Sequence, residues 1–316
     1  MSKLIRLLSV QTGLTQQDIE RIINRAPDTY KSYLIPKRNG KGDRISLQPA
    51  GEVNVLQRVL IERLQILRIH DAAMAYRKGI SIRANALKHA QNGPIRKYDF
   101  ESFFPSIKGS DWVQYCQQNR IFSDPGDVRW SVNLFFHRPK STNVLRLAIG
   151  APASPWLSNV LMYEFDDAIS RAVAKDRVTY TRYADDLTFS APRTGHLTGV
   201  DKIVRKTIQD TQFPRLKLNE SKTTVATKKF RRVVTGLILA DNGEVSIGRD
   251  KKRLVRAQIH HALTVGLGWE KADKLLGYVA HLRSVEPSFY YRLLAHYGDD
   301  FEARIRIKNA PPLLDL

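Results

Sequence analysis

Two neighbouring carboxylates, Asp185 and Asp186, lie between two runs of alternating, β-favouring residues, Val178-Thr179-Tyr180-Thr181-Arg182 and Leu187-Thr188-Phe189-Ser190. This pattern predicts a hairpin with the acidic pair at its tip. Adjacent carboxylates repel one another unless a cation lies between them, which makes the pair a candidate cradle for divalent metal. Two other Asp-Asp pairs read differently. Asp166-Asp167 falls in a helical pattern with Leu161, Phe165 and Ile169 and is expected on a solvated face; Asp299-Asp300 follows Gly298 and reads as loop. Asp99 ends a predicted strand, Ile95-Arg96-Lys97-Tyr98-Asp99-Phe100, ahead of Phe103, Phe104 and Pro105. A carboxylate at the end of a buried strand is costly unless something pairs with it, so Asp99 is the natural third ligand. Adjacent strands would let the three hold two Mg²⁺ ions about 3.5–4 Å apart, the arrangement that serves in-line phosphoryl transfer. Mg²⁺ takes few carboxylates and completes its shell with phosphate oxygens, so three aspartates suffice. A nuclease could use similar parts.

Several elements must position these groups. A hairpin is predicted from Tyr33 to Leu47 around Asn39-Gly40-Lys41-Gly42, a strong turn signal. Its Lys37, Arg38, Lys41 and Arg44 could close on a triphosphate, or belong to an ordinary surface hairpin. Residues 1–30 read as helical, with Thr15 as a cap, and residues 51–70 as an amphipathic helix. A basic turn, Ala75 to Ile82, precedes a second helix with Asn85, Ala86 and His89; His89 reads equally well as a core histidine. Residues 109–140 are expected to be mainly helical. Ile149-Gly150-Ala151-Pro152-Ala153-Ser154-Pro155 is a rigid loop opening a long helix, a place where backbone and helix N-terminus suit phosphate or a base pair. A helix near 198–211 follows the acidic hairpin. Then come strands Val233 to Ile238 and Glu244 to Ile247 around Asp241-Asn242-Gly243, and helices over 261–316.

Bulk composition narrows the partner. The chain has 316 residues, 42% of them hydrophobic, which suits a folded protein with a real core. Lys and Arg number 51 against 31 Asp and Glu, a formal charge of +20. That excess predicts a polyanionic partner. It is uneven: residues 228–260 carry nine basic residues (228, 229, 231, 232, 249, 251, 252, 253, 256) against Asp241, Glu244 and Asp250. Clustered base with nearby Trp269, Tyr278, Phe289, Tyr290 and Tyr291 is the footprint of a nucleic-acid clamp. The lone Cys116 excludes an internal disulfide, fits a reducing compartment, and sits on a helix face rather than in an obvious nucleophile setting. No apolar run reaches the roughly 20 residues needed to span a bilayer, and Gln11 and Thr12 interrupt any signal-peptide core, so a cytoplasmic location is expected.

In this order the motifs resemble those of reverse transcriptases, most closely the bacterial retron reverse transcriptases. The matching residues are Tyr183-Ala184-Asp185-Asp186, Asp99 with Phe104, and Gly150-Ala151-Pro152-Ala153-Ser154-Pro155 with Leu157-Ser158-Asn159. Leu218-Asn219 with Lys222-Thr223 and the hairpin Ile35 to Arg44 also match. Two features typical of retrons are Asn85-Ala86-Leu87-Lys88-His89 and Val234-Thr235-Gly236. The resemblance covers roughly residues 30–260. It implies an α+β, right-hand polymerase: helical and β-hairpin fingers (1–92), an antiparallel-sheet palm (93–248, with a helical insertion at about 107–148), and a helical, RNA-binding thumb (249–316). It assigns Asp99, Asp185 and Asp186 to two Mg²⁺ ions and Lys222 to the pyrophosphate leaving group as an acid. Phe104 becomes the steric gate against the ribonucleotide 2′-OH. Lys37, Arg44, Arg77 and Gly150 would meet the incoming dNTP. Asn85, His89, Val234, Thr235 and Gly236 would lie at nucleic acid, and our reading of the basic stretch adds Lys251, Lys252, Arg253 and Arg256. One departure is Ile149, where the family usually has Gln, so an amide contact there is lost.

The resemblance further implies binding of a cognate structured noncoding RNA and DNA synthesis primed from an internal guanosine 2′-OH. The product would be a branched RNA–DNA hybrid used in anti-phage defence beside an effector or toxin protein. With no room expected for an RNase H domain, host RNase H would remove RNA. Other readings are a nucleic-acid-binding scaffold restraining a toxic effector, a reverse transcriptase using a conventional primer, and an RNA-copying RNA polymerase. The bulk of Phe104 argues against the last.

Overall fold

Side-chain oxygens start the first two helices. The Ser2 hydroxyl accepts the Ile5 N–H and the Thr15 hydroxyl accepts the Asp18 N–H, satisfying donors that a helix N-terminus leaves open. The computed structural model describes residues 2–36 and 42–311, so Lys37, Arg38 and Lys41 lie outside the described residues. After α1 (Lys3–Thr12) and α2 (Gln16–Arg25) comes the antiparallel hairpin of β1 (Lys31–Pro36) and β2 (Asp43–Gln48), with Ile35 opposite Arg44. Next are α3 (Gly51–Leu64), α4 (Ile82–Ala90), β3 (Ile95–Asp99) and the single turn α5 (Phe103–Ser106). The expected helical stretch is α6 (Gly109–Asn119) and α7 (Pro125–Phe135). The long helix expected after Pro155 is two, α8 (Ala153–Leu161) and α9 (Tyr163–Ala174), separated at Met162.

The acidic hairpin forms as β4 (Thr179–Tyr183) and β5 (Asp186–Ser190), followed by α10 (Val200–Asp210). Short strands β6 (Thr224–Ala226), β7 (Val233–Val234), β8 (Leu237–Leu239) and β9 (Val245–Ser246) lead to α11 (Arg249–Thr264), α12 (Trp269–Val285), α13 (Pro287–Tyr297) and α14 (Phe301–Lys308). There are three sheets among the described residues: β1-β2, β4-β5-β3-β6 and β7-β8-β9. No helix among them is long and apolar enough to cross a membrane.

Two units divide the chain. The first holds Met1–Ile80, Arg96–Ser190 and Gly195–Val225; the second holds Ser81–Ile95, Ala191–Thr194 and Ala226–Leu316. The helix bearing Asn85 and His89 and residues 226–248 both fall in the second unit. In the first unit, Phe100 stacks on Phe103 at 5.8 Å and meets Phe165 edge-on at 5.7 Å. Leu187, Phe189 and Ile169 are fully buried, Phe189 stacking on Tyr180 at 4.9 Å. The central hairpin is buried at consecutive positions, Tyr180 to Arg182 on β4 and Leu187 to Ser190 on β5, so both of its faces are covered. The second unit has its own core of Ala86, Ala90, Val234, Leu237, Leu239, Val255, Ile259, Leu275, Phe289 and Phe301.

Candidate active site

Strand order places β3 beside β5, so the end of β3 meets the tip of the acidic hairpin. The Phe100 N–H donates to the Asp185 carbonyl at 3.1 Å, which sets Asp99 next to the pair. On the other flank the Asn219 N–H donates to the Asp99 carbonyl at 2.7 Å and the Glu101 N–H to Lys217 at 2.8 Å. The single helical turn Glu220–Lys222 then returns Lys222, whose ammonium donates to both Asp99 carboxylate oxygens at 2.8 and 3.0 Å. Asp99, Asp185, Asp186 and Lys222 thus share one end of one sheet.

The hairpin is closed by Tyr183 opposite Asp186, leaving Ala184-Asp185 as its loop. Ala184 is left-handed (φ 57°), a conformation that costs a Cβ-bearing residue about 1–2 kcal/mol. Arg182 holds it there. Its guanidinium donates from Nη1 to the Ala184 carbonyl at 3.2 Å, and from Nε and Nη2 to the Asp166 carboxylate at 2.7–3.1 Å. The Tyr180 hydroxyl adds a donor to Asp166 at 2.8 Å. Arg182 and Asp166 are both fully buried. The expectation that Asp166 lies on a solvated face is therefore wrong: Asp166 anchors the strand that leads into the acidic turn. Asp167 remains nearer the surface, paired with Arg171.

Charge crowding is visible at the carboxylates. Burial pushes Asp186 up to about 6, Asp185 and Asp99 push the same way, and Lys97 opposes them. Burial, then the negative charge of Asp99, also raises Asp185, while Lys222 and Arg44 pull it down. The Lys222 ammonium is raised by its bond to Asp99. Among the described residues no three acidic, imidazole or thiol side chains are gathered into a ready-made metal cluster, Asp99 being turned onto Lys222. The donor set nonetheless fits a hard divalent ion. It offers oxygen ligands only, on two neighbouring strand ends, with the Lys222 ammonium bound to Asp99 where a cation is wanted.

Other predicted residues fall into three groups. Near the carboxylates, Phe104 is half-buried and its ring lies 6.2 Å from that of Tyr76. Tyr76 is itself left-handed (φ 61°), and its hydroxyl is raised first by burial and then by Asp185. Arg44 is exposed on β2 and its charge is felt at both Asp185 and Tyr76. Gly150 (φ 110°) rests on β2: a Cβ there would stand 2.4 Å from the Ser46 hydroxyl, and the Leu47 N–H donates to Ile149 at 2.6 Å. Its glycine is required by this close approach. Arg77 donates to the His70 and Ala73 carbonyls at 3.3 and 3.2 Å and reaches the Asp71 carboxylate at 3.4 Å.

The second unit brings together the two stretches typical of retrons. Thr235-Gly236 forms the β7–β8 loop with both residues left-handed (φ 48° and 81°), and the Thr235 hydroxyl donates to the Ile82 carbonyl at the start of α4 at 3.0 Å. Asn85, His89 and Val234 are fully buried, so their side chains support this joint rather than present a surface. The Asn85 amide has no hydrogen-bond partner among the described residues. Lys251, Arg253 and Arg256 are exposed on α11. Lys252 is not a free cation: it pairs with the buried Glu286, which also accepts the Ile247 N–H at 2.9 Å, and it sits 5.4 Å over the Phe289 ring. Cys116 is buried and burial pushes its thiol well above its ordinary value, which removes it as a nucleophile.

Sequence reasoning missed Arg182, Tyr76 and Lys97. A charged residue at an inward position beside the acidic turn was the available signal for Arg182. Nothing in the sequence pointed to Tyr76, whose nearness depends on the fold.

Comparison with known proteins gives the family. Residues 35–278 match the family model "Reverse transcriptase (RNA-dependent DNA polymerase)". The chain is 34% identical to the retron Ec83 reverse transcriptase of Escherichia coli, over 92% of this chain and 95% of that protein. It is 30% identical to the retron Ec73 reverse transcriptase of Escherichia coli, over 95% of this chain and 96% of that one. A solved telomerase from Candida albicans in complex with a telomeric RNA fragment aligns over 93% of this chain and 63% of its own, at 12% identity and a TM-score of 0.44, too low to carry an argument.

Proposed function

The chain belongs to the retron branch of the reverse transcriptase family and is an RNA-directed DNA polymerase of α+β, right-hand class; from that premise we propose that it copies part of a cognate structured noncoding RNA with Asp99, Asp185 and Asp186 as its metal-binding carboxylates. The observation that carries the reading is the hydrogen bond between the end of β3 and the Asp185 turn, which unites the three carboxylates and Lys222. Bound there, Mg²⁺ would supply Lewis-acid activation of the primer hydroxyl and of the phosphates.

The remaining chemistry falls to this chain's own side chains. Asp99, Asp185 and Asp186 hold negative charge at a half-buried strand end, where it attracts cations strongly. Lys222, already protonated and raised by its bond to Asp99, holds a proton at Nζ that the departing pyrophosphate can take. Phe104, backed by Tyr76, walls the sugar position so that a 2′-OH has no room. Arg44 orients the triphosphate from β2. Gly150 lets the 149–150 backbone lie flat on that strand.

Within this reading an internal guanosine 2′-OH of the RNA serves as primer, giving a branched RNA–DNA hybrid. Host RNase H trims the RNA, and the complex acts in anti-phage defence with an effector or toxin partner. The test is to express the protein with its neighbouring RNA and analyse the nucleic acid that copurifies. A single-stranded DNA that shortens on RNase treatment but keeps an RNase-resistant branch nucleotide is expected. DNA with a free, unbranched 5′ end would favour a conventional primer, and RNA alone would favour a scaffold.

A further inference from the structure

The second unit contains a basic cleft that the polymerase chemistry does not use. Gly93, Pro94, Pro192, Arg193, Thr194, Thr227, Lys228 and Lys229 enclose about 510 Å³, with no carboxylate in the lining. Arg193, Lys228 and Lys229 are exposed, and none of them is in an ion pair among the described residues. The volume is that of a site for a small ligand or one to two nucleotide units.

Its walls are tied together in advance. Gly93 donates to the Ala191 carbonyl at 2.9 Å and Ala191 to that of Pro94 at 3.3 Å; a Cβ on Gly93 would meet the Pro192 carbonyl at 3.0 Å. The third wall, the turn Thr227–Phe230, is closed by the Phe230 N–H donating to Thr227 at 2.9 Å. Arg232, only 1% exposed, locks that wall to the first: its guanidinium donates to the carbonyls of Asn92 and Gly93 (3.0 Å to Gly93) and to those of Leu239 and Ala240 at 3.2 Å. Its Nη2 also reaches the exposed Asp241 carboxylate at 3.4 Å, so the charge has a partner while most of the buried guanidinium's donors are spent on backbone carbonyls that fix the shape of the turn.

Beside the cleft, on the same turn, Phe230 is 70% exposed. An exposed aromatic flanked by Lys228, Lys229 and Arg231 is the combination that binds single strands: cations track the phosphates while a base stacks on the ring. A duplex keeps its bases stacked on one another and has none to offer. We propose that this cleft and Phe230 form a binding subsite for a short unpaired nucleic-acid segment, its phosphates on Arg193, Lys228 and Lys229 and one base on Phe230. The inference rests on the polymerase reading only in taking nucleic acid as the partner. RNA and DNA share this chemistry, and the test separates them.

The experiment measures fluorescence anisotropy of the full chain with an eight-nucleotide oligouridylate, an oligothymidylate of equal length and a blunt RNA hairpin closed by a non-nucleotide ethylene-glycol linker, so that it carries no unpaired base, across a salt series. Lys228→Gln/Lys229→Gln should flatten the log–log salt slope on a single strand by about 1.4, two phosphates at roughly 0.7 each. Phe230→Ala should weaken single-strand binding about five- to a hundredfold, the range for one stacked base, and Phe230→Trp should retain it. The hairpin should lose less than either single strand. Loss confined to RNA places the RNA strand in the subsite, loss confined to DNA places the product strand there, and loss of both places the shared backbone. Equal losses on hairpin and single strands, unchanged slopes, or a Trp variant as weak as the Ala variant would overturn the proposal. Primer extension by the unaltered protein, run in parallel, tests the polymerase reading separately: absent DNA synthesis with the binding pattern intact contradicts that reading alone.

Discussion

Asp186 shows how a functional demand is written into the energetics of one residue. Its carboxyl is held at about 6 against an ordinary value of 3.8, chiefly by burial and then by Asp185 and Asp99. A carboxyl whose folded value is raised favours the folded state below its unfolded value, and that contribution is lost as pH rises through the folded value. The window is therefore pH 4 to 6, above which the ionised group opposes folding. Asp186→Asn is expected to raise thermal stability in EDTA at pH 7.5, by on the order of 1–3 kcal/mol after allowing for partial exposure, and to lose that advantage below about pH 4. Melting curves at the two pH values check it; an equal or opposite difference at pH 7.5 would show that the crowding is not felt. The same residue is indispensable in the proposed chemistry, so stability and activity should move in opposite directions. The acidic hairpin tip was legible in the sequence from the strand patterns on both sides of Asp185-Asp186, and the strand ending at Asp99 from its β-favouring run. The Lys252 ion pair was not legible, because a basic cluster does not say which of its members has a buried partner such as Glu286.

At the scale of the element, the acidic hairpin is held from below. Arg182 links the buried Asp166 of α9 to the Ala184 carbonyl in the strained turn. Replacing Arg182 by Met should destabilise the chain by about 3–5 kcal/mol, because Asp166 is left as an uncompensated buried charge. The double variant Arg182→Met/Asp166→Leu should regain most of that stability, yet DNA synthesis should stay at least tenfold slow, since the Ala184 carbonyl still lacks its donor. Chemical denaturation and single-turnover extension separate the two effects. Full recovery of both would reduce the ion pair to a packing device. The hairpin itself and the β1–β2 flap were readable from alternation and turn residues, whereas the α9 contact was not. Periodicity put Asp166 on a helix but could not say which face another element covers. The break at Met162 was hidden similarly, because α8 and α9 are both apolar on compatible faces.

For the whole molecule, the +20 charge was the earliest pointer to a nucleic-acid partner, and family membership agrees with it. Compactness divides the chain along a different line from the three functional parts that the resemblance implies. The chain separates into two units, and the Asn85–His89 helix joins the C-terminal one through Thr235 and the apolar core around Val234 and Leu237. Residues 150 apart in sequence must meet for that, and no local pattern announces such a pairing. The central claim is that Asp99, Asp185 and Asp186 together carry RNA-directed DNA synthesis. The most direct measurement is DNA-primer extension on an RNA template with Mg²⁺, comparing the unaltered chain with Asp185→Asn and with Asp99→Asn, each shown by denaturation to be folded. RNA-templated incorporation by the unaltered chain is expected, with a loss of at least a thousandfold, about 4 kcal/mol of transition-state stabilisation, in each variant. Synthesis within tenfold of the unaltered rate in either folded variant would contradict that claim.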